Sequence, residues 1–423
     1  MLGSRALAMF FLLAVSTALI AAEPKSENWP GWRGPRGDGS SLETGLPTKW
    51  DGKSGENIAW AAAIPGSGHS SPVVWDDRIF LQTCLEENRQ RVLLCLDRTD
   101  GKLLWQQTVA QAPLEKKHAL NSFASGTPTT DGELVFVSFL LPQFESTKER
   151  TPGEMVVAAY DLAGKQKWLV NPGQFASTHG FCSSPVLFED KVIVNGDHDG
   201  EAYIVALDRL TGKTLWKINR ENKTRSYVTP IIRQIDGRTQ MILSGSKSVA
   251  SYDPHDGTRH WIMDGPTEQF VASMVYDGQL LYLTAGFPEH HILALKPDGR
   301  GKIADEAIVW RTKKGCSYVP SPVLCNEYFL VAADNGTASC YEARSGKLCW
   351  MERLGKHYSA SLVAADGLVY FLADDGAVKV IRPGEKLDVV AENQLGEYCY
   401  ASPAISQGQI FLRGEKHLFC IGK

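Results

Sequence analysis

Histidine is the residue type in this sequence best suited to chemistry near neutral pH, because an imidazole can transfer a proton or bind a metal. The chain contains ten histidines. Seven of them, together with one aspartate, are the candidates for a binding site. These candidates are His69, His118, His179, Asp197, His198, His290, His357 and His417. They can act together only if the fold brings them to one place.

Taken singly, the local motifs are weak. The segment NGDHDGE (195–201) alternates carboxylates as a calcium loop does, but it lacks the full length and the closing glutamate, so a hairpin turn is favoured. His290 and His291 are adjacent at the start of a strand, so their side chains should diverge and not share a metal. His179 and Cys182 could be ligands, although structural burial is favoured.

Broader signatures are also missing from the sequence. No Ser-His-Asp set, paired-carboxylate pattern or glycine-rich nucleotide loop stands out. With 44 basic and 48 acidic residues the net charge is −4, which offers no basic surface for nucleic acid. The nine cysteines leave at least one thiol unpaired. Cys84/Cys95 and Cys340/Cys349 could each face each other across a hairpin, or the cysteines could be small buried apolar residues.

A repeated hairpin provides the elements that would position these residues. Three segments align without gaps: DRTDGKLLW (97–105), DRLTGKTLW (208–216) and DPHDGTRHW (253–261). In each, a glycine lies four residues before a tryptophan, which predicts a strand, a tight turn and a second strand. Two further segments are close to this pattern and a sixth contains an insertion. These are residues 161–168, 342–350 and 297–310.

A second constant feature is a short apolar strand that opens each unit, in most cases after Ser-Pro or Thr-Pro. These strands begin near residues 71, 127, 184, 229, 273, 321, 361 and 402. The sequence therefore predicts eight four-stranded units. The last unit lacks its fourth strand, and NIAWAAAIP (57–65) at the other end of the chain can supply it, which would close a ring. The unit that contains RPGEKLDVV (382–390) has no tryptophan, so its packing should differ.

These units resemble the PQQ-type (pyrroloquinoline quinone) propeller repeats of quinoprotein alcohol dehydrogenases and of the outer-membrane-protein assembly lipoprotein. The resemblance covers roughly residues 57–423 and implies an all-β, eight-bladed β-propeller closed by an N-terminal strand. The same blades serve enzymes and scaffolds, so the repeat is poor evidence for activity. The dehydrogenases use PQQ and calcium and often hold the quinone against adjacent cysteines, which this chain lacks.

Three regions follow from this reading. Residues 1–22 have a short basic start, an apolar run and small residues at the end, which predicts a cleaved signal peptide and export to the periplasm or beyond the cell. No later segment predicts a membrane span. Residues 23–56 form an extended segment with the motif WPGWRGPRGDGSS (29–41), whose role is packing on the propeller or, as an alternative, ligand binding. Residues 57–423 form the propeller.

The histidines divide unevenly between the two faces of such a propeller. Loops before first strands share a face with the loops that join second and third strands. Eight of the ten histidines fall in these loops, and so do the long insertions 109–124 and 140–154. Long loops on a rigid scaffold often carry function. We therefore predict that any ligand or partner binds this face, near the central funnel.

The leading interpretation is a non-catalytic, exported scaffold in the cell envelope. Its partner would be an envelope or extracellular protein or a carbohydrate, with no nucleic acid and no expected cofactor. One alternative is a quinoprotein dehydrogenase that uses PQQ and calcium. A second alternative is a hydrolase or lyase that acts on polysaccharide in the funnel.

Overall fold

The computed structural model describes residues 26–145 and 151–422. The expected signal peptide and residues 146–150 of the long insertion lie outside this part. The described chain folds into eight sheets of at least four strands each, antiparallel except for one short parallel pairing, and two short 3-10 helices lie at Glu86–Asn88 and Asp305–Ala307. The prediction of an all-β, eight-bladed propeller is confirmed.

Blades 1 to 4 follow one another along the chain. The first strand of the chain, β1 (Ile58–Ala63), precedes them. Blade 1 contains β2 (Val73–Trp75), β3 (Arg78–Leu85), β4 (Gln90–Asp97) and β5 (Leu103–Gln111). Blade 2 contains β6 (Thr129–Thr130), β7 (Leu134–Pro142), β8 (Thr151–Asp161) and β9 (Gln166–Ser177). Blade 3 contains β10 (Val186–Phe188), β11 (Lys191–Gly196), β12 (Tyr203–Asp208) and β13 (Thr214–Asn219). Blade 4 contains β14 (Ile231–Ile235), β15 (Arg238–Gly245), β16 (Ser248–Tyr252) and β17 (Arg259–Asp264).

Blades 5 to 8 complete the ring. Blade 5 contains β18 (Val275–Tyr276), β19 (Leu281–Ala285), β20 (His291–Leu295) and β22 (Ile308–Thr312); the intervening β21 (Gly301–Lys302) pairs with β17 of blade 4. Blade 6 contains β23 (Val323–Cys325), β24 (Tyr328–Ala332), β25 (Thr337–Glu342) and β26 (Leu348–Arg353). Blade 7 contains β27 (Val363–Ala365), β28 (Leu368–Leu372), β29 (Ala377–Arg382) and β30 (Asp388–Gln394). Blade 8 contains β31 (Ala404–Ser406), β32 (Gln409–Arg413) and β33 (His417–Ile421), and β1 pairs with β33 as its fourth strand.

The glycine and tryptophan of the repeat meet across blade boundaries. Gly101 adopts a φ of 73°, and a Cβ atom there would lie 2.6 Å from the Trp60 ring of the preceding blade. The Trp60 indole N–H donates to the carbonyl of Arg98 in the same turn. Gly212 makes the equivalent approach to Trp168. Glycine is therefore required at this position for two reasons: the turn needs a positive φ, and the tryptophan ring that packs on the turn leaves no room for a Cβ atom.

Blade 7, which has no tryptophan of its own, receives one from the N-terminal segment. In the other blades each signature tryptophan lies opposite a small residue of the third strand, such as Ala206 opposite Trp216. In blade 7 the corresponding residue is Ala391, opposite Val380. Trp50 is almost fully buried and stacks on Tyr370 at 6.4 Å between ring centroids.

The cysteines serve as small packing residues rather than as disulfides. All nine lie within the described residues and all are free thiols. Cys84 lies opposite Arg91, and Cys95 lies opposite Phe80, so the first cross-hairpin pair does not form. Cys349 lies at the bulge of the pairing between β25 and β26, where its side chain interacts with that of Cys340, but both are free thiols.

Hydroxyl groups tie the innermost strands together. The backbone N–H of Ser321 donates to the Ser361 hydroxyl, and the Ser361 N–H donates to the Ser402 hydroxyl, each at 2.9 Å. The Ser402 N–H donates in turn to Ser71, across the point where the ring closes. Six hydroxyls, in blades 1, 2, 3, 6, 7 and 8, each accept a backbone N–H of the preceding blade in this way, and together with Thr229 and Ser273 they form a hydroxyl ring around the central channel.

None of the helices within the described residues has the length and apolar character that crossing a bilayer requires.

Candidate functional site

The central channel widens into a funnel of about 660 Å³ on the face predicted to bind ligands. This volume lies within the range of about 300–1,000 Å³ that is typical of small-molecule sites. Hydroxyl groups from six blades line its wall. They belong to Ser71, Ser184, Thr229, Ser273, Ser361 and Ser402. Because these residues directly precede the innermost strands, the hydroxyl ring and the funnel wall are the same structure.

The N-terminal segment closes the other end of the channel. Trp29 is buried and pairs with Val74 of blade 1 through backbone hydrogen bonds. The Trp32 indole N–H donates to Ser273 of blade 5 at 3.2 Å, and the ring lines the funnel. Arg33 is buried and donates to the carbonyl groups of blades 6 and 7. Trp32 is therefore the floor of the funnel, and Arg33 fixes the segment beneath it.

Four of the eight candidate residues meet in the funnel. These are His69, His118, His179 and His357. The His118 and His179 rings lie 6.0 Å apart in an edge-to-face arrangement. The Nδ1 atom of His357 forms a hydrogen bond of 2.7 Å with the Asp374 carboxylate. All four precede first strands, and these loops lead directly into the channel wall.

The other four candidates lie outside the funnel. Asp197 is buried in an ion pair of 2.9 Å with Arg220, and the His198 Nδ1 atom contacts the Gly196 carbonyl at 2.9 Å. His290 is exposed. His417 lies 2.9 Å from Glu397. Each of these residues lies in a loop or at a strand end where the second and third strands of its blade meet. These positions are one strand farther from the propeller axis than the loops that precede first strands.

His69 carries an unusual electrostatic environment. Burial, together with the nearby Arg413 and Lys117 cations, lowers its pKa to about 3. Arg413 is itself buried, donates to the Ser70 and Gln82 carbonyls, and has its pKa lowered to about 9 by burial. His69 is therefore neutral at physiological pH, with its ring 4.5 Å from that of Tyr400.

This environment predicts a pH-dependent stability. The folded-state pKa of His69 lies below the ordinary value of 6.5, so the unfolded chain binds a proton that the folded chain excludes. Stability should then fall by about 1.4 kcal/mol per pH unit below pH 6.5, or about 2 kcal/mol by pH 5. Urea unfolding at pH 5 and 7 measures this. The His69→Phe variant should lose this pH dependence of the unfolding free energy, and the exposed control His290→Gln should keep it. If the unfolding free energy of His69→Phe depends on pH as that of the wild type does, His69 is not its source.

Several lining residues are aromatic and were not among the predicted site residues. Tyr227, Tyr318 and Tyr400 line the funnel together with Phe287. The three tyrosines lie two or three residues before the hydroxyl of their blade's first strand, as in SYVTP (226–230) and CYASP (399–403). That spacing is a repeated signal which could have identified them. Trp32 had no comparable signal, because it belongs to a segment without internal repeats.

The lining residues that could react or bind a metal are held by the surrounding protein. Asp334 is the one carboxylate among the described lining residues, and its two oxygens accept the backbone N–H groups of Tyr318 and Val319. Cys182 lines the funnel, and burial raises its pKa to about 12, which keeps the thiol protonated. Within residues 26–145 and 151–422, no three His, Cys, Asp or Glu side chains are grouped closely enough to hold a metal.

The calcium-like segment 195–201 also has its carboxylates engaged. Asp197 accepts the Ser226 hydroxyl at 2.7 Å in addition to its ion pair with Arg220. Asp199 pairs with Arg225 at 2.7 Å. The segment joins β11 to β12, as the hairpin interpretation predicts.

Comparison with protein families gives one result that spans the chain. The family model described as outer membrane protein assembly factor BamB matches residues 42–141, 153–301 and 289–387, which together exceed half of the chain. Curated protein sequences give no significant match.

Solved structures share the architecture at low identity. BamB from Moraxella catarrhalis has a TM-score of 0.59 and 11% identity, covering 85% of this chain and 98% of that one. Quinohemoprotein alcohol dehydrogenase from Comamonas testosteroni has a TM-score of 0.66 and 12% identity, covering 95% and 82%. A europium-containing methanol dehydrogenase has a TM-score of 0.53 and 12% identity, covering 93% and 91%. At these identities the similarity shows the fold alone.

Proposed function

The chain belongs to the family of the outer membrane protein assembly factor BamB, and from this premise we propose that it is an exported, non-catalytic binding propeller of the cell envelope. Its partner, an envelope protein or a carbohydrate, would bind the face that carries the funnel. One observation carries this proposal: the funnel has Trp32 at one end and is open at the other, and the one carboxylate and the one arginine among its described lining residues already have partners within the protein.

The open rim supports a binding role. Leu120, Phe287 and Tyr398 are 43%, 50% and 55% exposed, and all three belong to loops of this face. Exposed apolar side chains that are grouped around a cavity are typical of interaction sites. Most of the other large exposed apolar side chains in the described residues lie on the fourth strands of several blades.

The dehydrogenase alternative rests on the similarity to quinoprotein folds, and the funnel does not fit its cofactors. Calcium needs six to eight oxygen ligands, and PQQ carries several carboxylates. The one lining carboxylate, on Asp334, already accepts two backbone N–H groups. The one lining arginine, Arg225, is paired with Asp199. We therefore derive no step through either group.

Two measurements on the purified protein test the proposal. First, PQQ with Ca²⁺ should leave the melting temperature unchanged and give no dye-linked alcohol oxidation. A specific ligand at a hundred times its Kd would instead stabilise the fold by about 2.7 kcal/mol. A clear thermal shift together with dye reduction would replace the proposal by a dehydrogenase.

Second, solubilised envelope fractions of the native cell should slow hydrogen exchange in the loops before first strands. The rim variant Phe287→Ala should weaken this protection. The matched control is Leu210→Ala, because Leu210 is 60% exposed in a turn of the opposite face. Protection confined to the opposite face would contradict binding at the funnel.

A further inference from the structure

We propose that the funnel binds the end of a neutral oligosaccharide, with its sugar rings packed against a ladder of aromatic side chains. This inference rests on the proposed binding function and specifies its ligand. Three independent properties of the described lining support it: its charge, its aromatic faces and its free hydroxyl hydrogens.

The charge of the lining favours a neutral ligand. Arg225 and Asp334 are its only permanently charged side chains, and both already have partners within the protein. His69 is neutral, as described above. The Arg413 and Lys117 cations near His69 do not line the funnel. A charged ligand would therefore have to leave water without gaining an unpaired counter-charge from a lining side chain, which is unfavourable.

A ladder of rings leads from the rim into the funnel. Tyr398, at the rim, lies parallel to Tyr400, with an interplanar angle of 5° and centroids 6.4 Å apart. Tyr400 in turn contacts His69, whose ring lies 4.5 Å away. The faces of pyranose rings carry C–H groups that pack on the electron-rich faces of aromatic rings, whereas their edges carry hydroxyl groups. A ladder of this kind suits a chain of sugars better than one isolated ring.

The hydroxyl ring supplies the matching polar groups. The oxygens of Ser184, Ser361 and Ser402 each accept a backbone N–H of the preceding blade at 2.9 Å. A hydroxyl can donate as well as accept, and the hydrogens of these three groups donate to no acceptor in the described residues. They are therefore available to sugar oxygens at the base of the funnel, above Trp32.

A neutral peptide is the competing occupant, and the wall is less suited to it. Extended peptides bind mainly through unpaired backbone groups of a sheet edge. The N–H groups of Ser71, Ser321, Ser361 and Ser402 at the wall already donate to the hydroxyl ring. The funnel therefore offers side-chain hydroxyls and rings rather than a free backbone edge.

Isothermal titration of the full-length mature protein tests this inference. The probes are cellohexaose, xylohexaose, mannohexaose, maltohexaose and chitohexaose, with hexagalacturonate as the charged comparison and a neutral Tyr- and Pro-containing peptide as the alternative. At least one neutral hexasaccharide should bind, and at least about tenfold more tightly than hexagalacturonate, a difference of about 1.4 kcal/mol.

Variants then locate the binding. Tyr398→Ala and Tyr400→Ala should each weaken binding about three- to tenfold, the range expected for losing one aromatic contact. Tyr400→Phe keeps the ring and should bind as the wild type does, and Leu210→Ala on the opposite face should have no effect. Circular dichroism and urea unfolding verify that each variant is folded.

The possible outcomes separate this inference from the proposed function. Absence of binding to all five neutral hexasaccharides overturns the sugar assignment, and so does binding that is insensitive to both tyrosine→alanine variants. Preferential binding of the peptide or of hexagalacturonate overturns it as well. In each of these cases, protection of the funnel loops by envelope fractions would leave the proposed binding function standing.

Discussion

Replacing Trp50 by alanine is expected to lower the free energy of unfolding by about 3–5 kcal/mol, the range measured when a large aromatic side chain is removed from a packed core. Trp50 is 2% exposed and packs on Tyr370, in the place that the tryptophan of blade 7 would otherwise fill. Its backbone N–H also donates to Asn393 of β30 at 2.9 Å. The loss should therefore concentrate in blade 7.

Urea unfolding measures the size of this effect, and hydrogen exchange locates it in β28–β30. The matched control is Trp50→Phe, which keeps an aromatic ring on Tyr370. The Trp50 indole nitrogen is buried without a hydrogen-bond partner, so phenylalanine loses no hydrogen bond there. The corresponding change at Trp60 would lose the bond to the Arg98 carbonyl. A Trp50→Ala variant as stable as Trp50→Phe would contradict this role.

Trp50 also shows what the sequence could and could not predict about the fold. The repeat is local, since its turn glycine and its tryptophan lie four residues apart, so eight units and the closing strand could be counted directly. The absence of a tryptophan from RPGEKLDVV (382–390) predicts that blade 7 differs from the others. That Trp50 takes the place of the missing tryptophan could not be predicted, because Trp50 belongs to no repeat and lies 320 residues before its contact Tyr370.

The funnel shows the same division between local and non-local information. The sequence places His69 and His357 on the face where the funnel lies, because their loops immediately precede first strands. It gave no reason to separate them from His198 or His417, whose loops open on the same face but start one strand farther from the axis. The distance of a loop from the propeller axis depends on which strands of the blade it joins. Counting the histidines on each face does not take this into account. The floor residue Trp32 depends on the path of the N-terminal segment across the channel.

A large electrostatic effect is expected at the insertion that borders the funnel. Arg91 on β4 and Glu115 in the insertion form an ion pair of 2.7 Å whose side chains are 0% and 1% exposed. Arg91 also donates to the Pro113 carbonyl at 3.2 Å, so it anchors the insertion at two points. Replacing Arg91 by methionine would leave a buried carboxylate without a counter-charge and should cost about 3–5 kcal/mol.

A double-mutant cycle separates the loss of the charge from the loss of packing. The double variant Arg91→Met/Glu115→Leu removes both charges and replaces them with apolar groups of similar reach, so it should be within about 1–2 kcal/mol of the wild type. The single variant Arg91→Met should be much less stable than the double variant in urea unfolding. Equal stability of the two variants would show that the pair does not anchor the insertion.

The pH dependence of the single variant provides a second test. Burial already raises the pKa of Glu115 in the wild type, and removal of Arg91 should raise it further. Above its folded-state pKa, the buried carboxylate is charged and destabilises the fold; below about pH 4.3 it is protonated in both the folded and unfolded states. The cost of Arg91→Met should therefore be greatest at neutral pH and shrink towards pH 4. A cavity left by a lost side chain would cost the same at both values, so a pH-independent loss would assign Arg91 a packing role only.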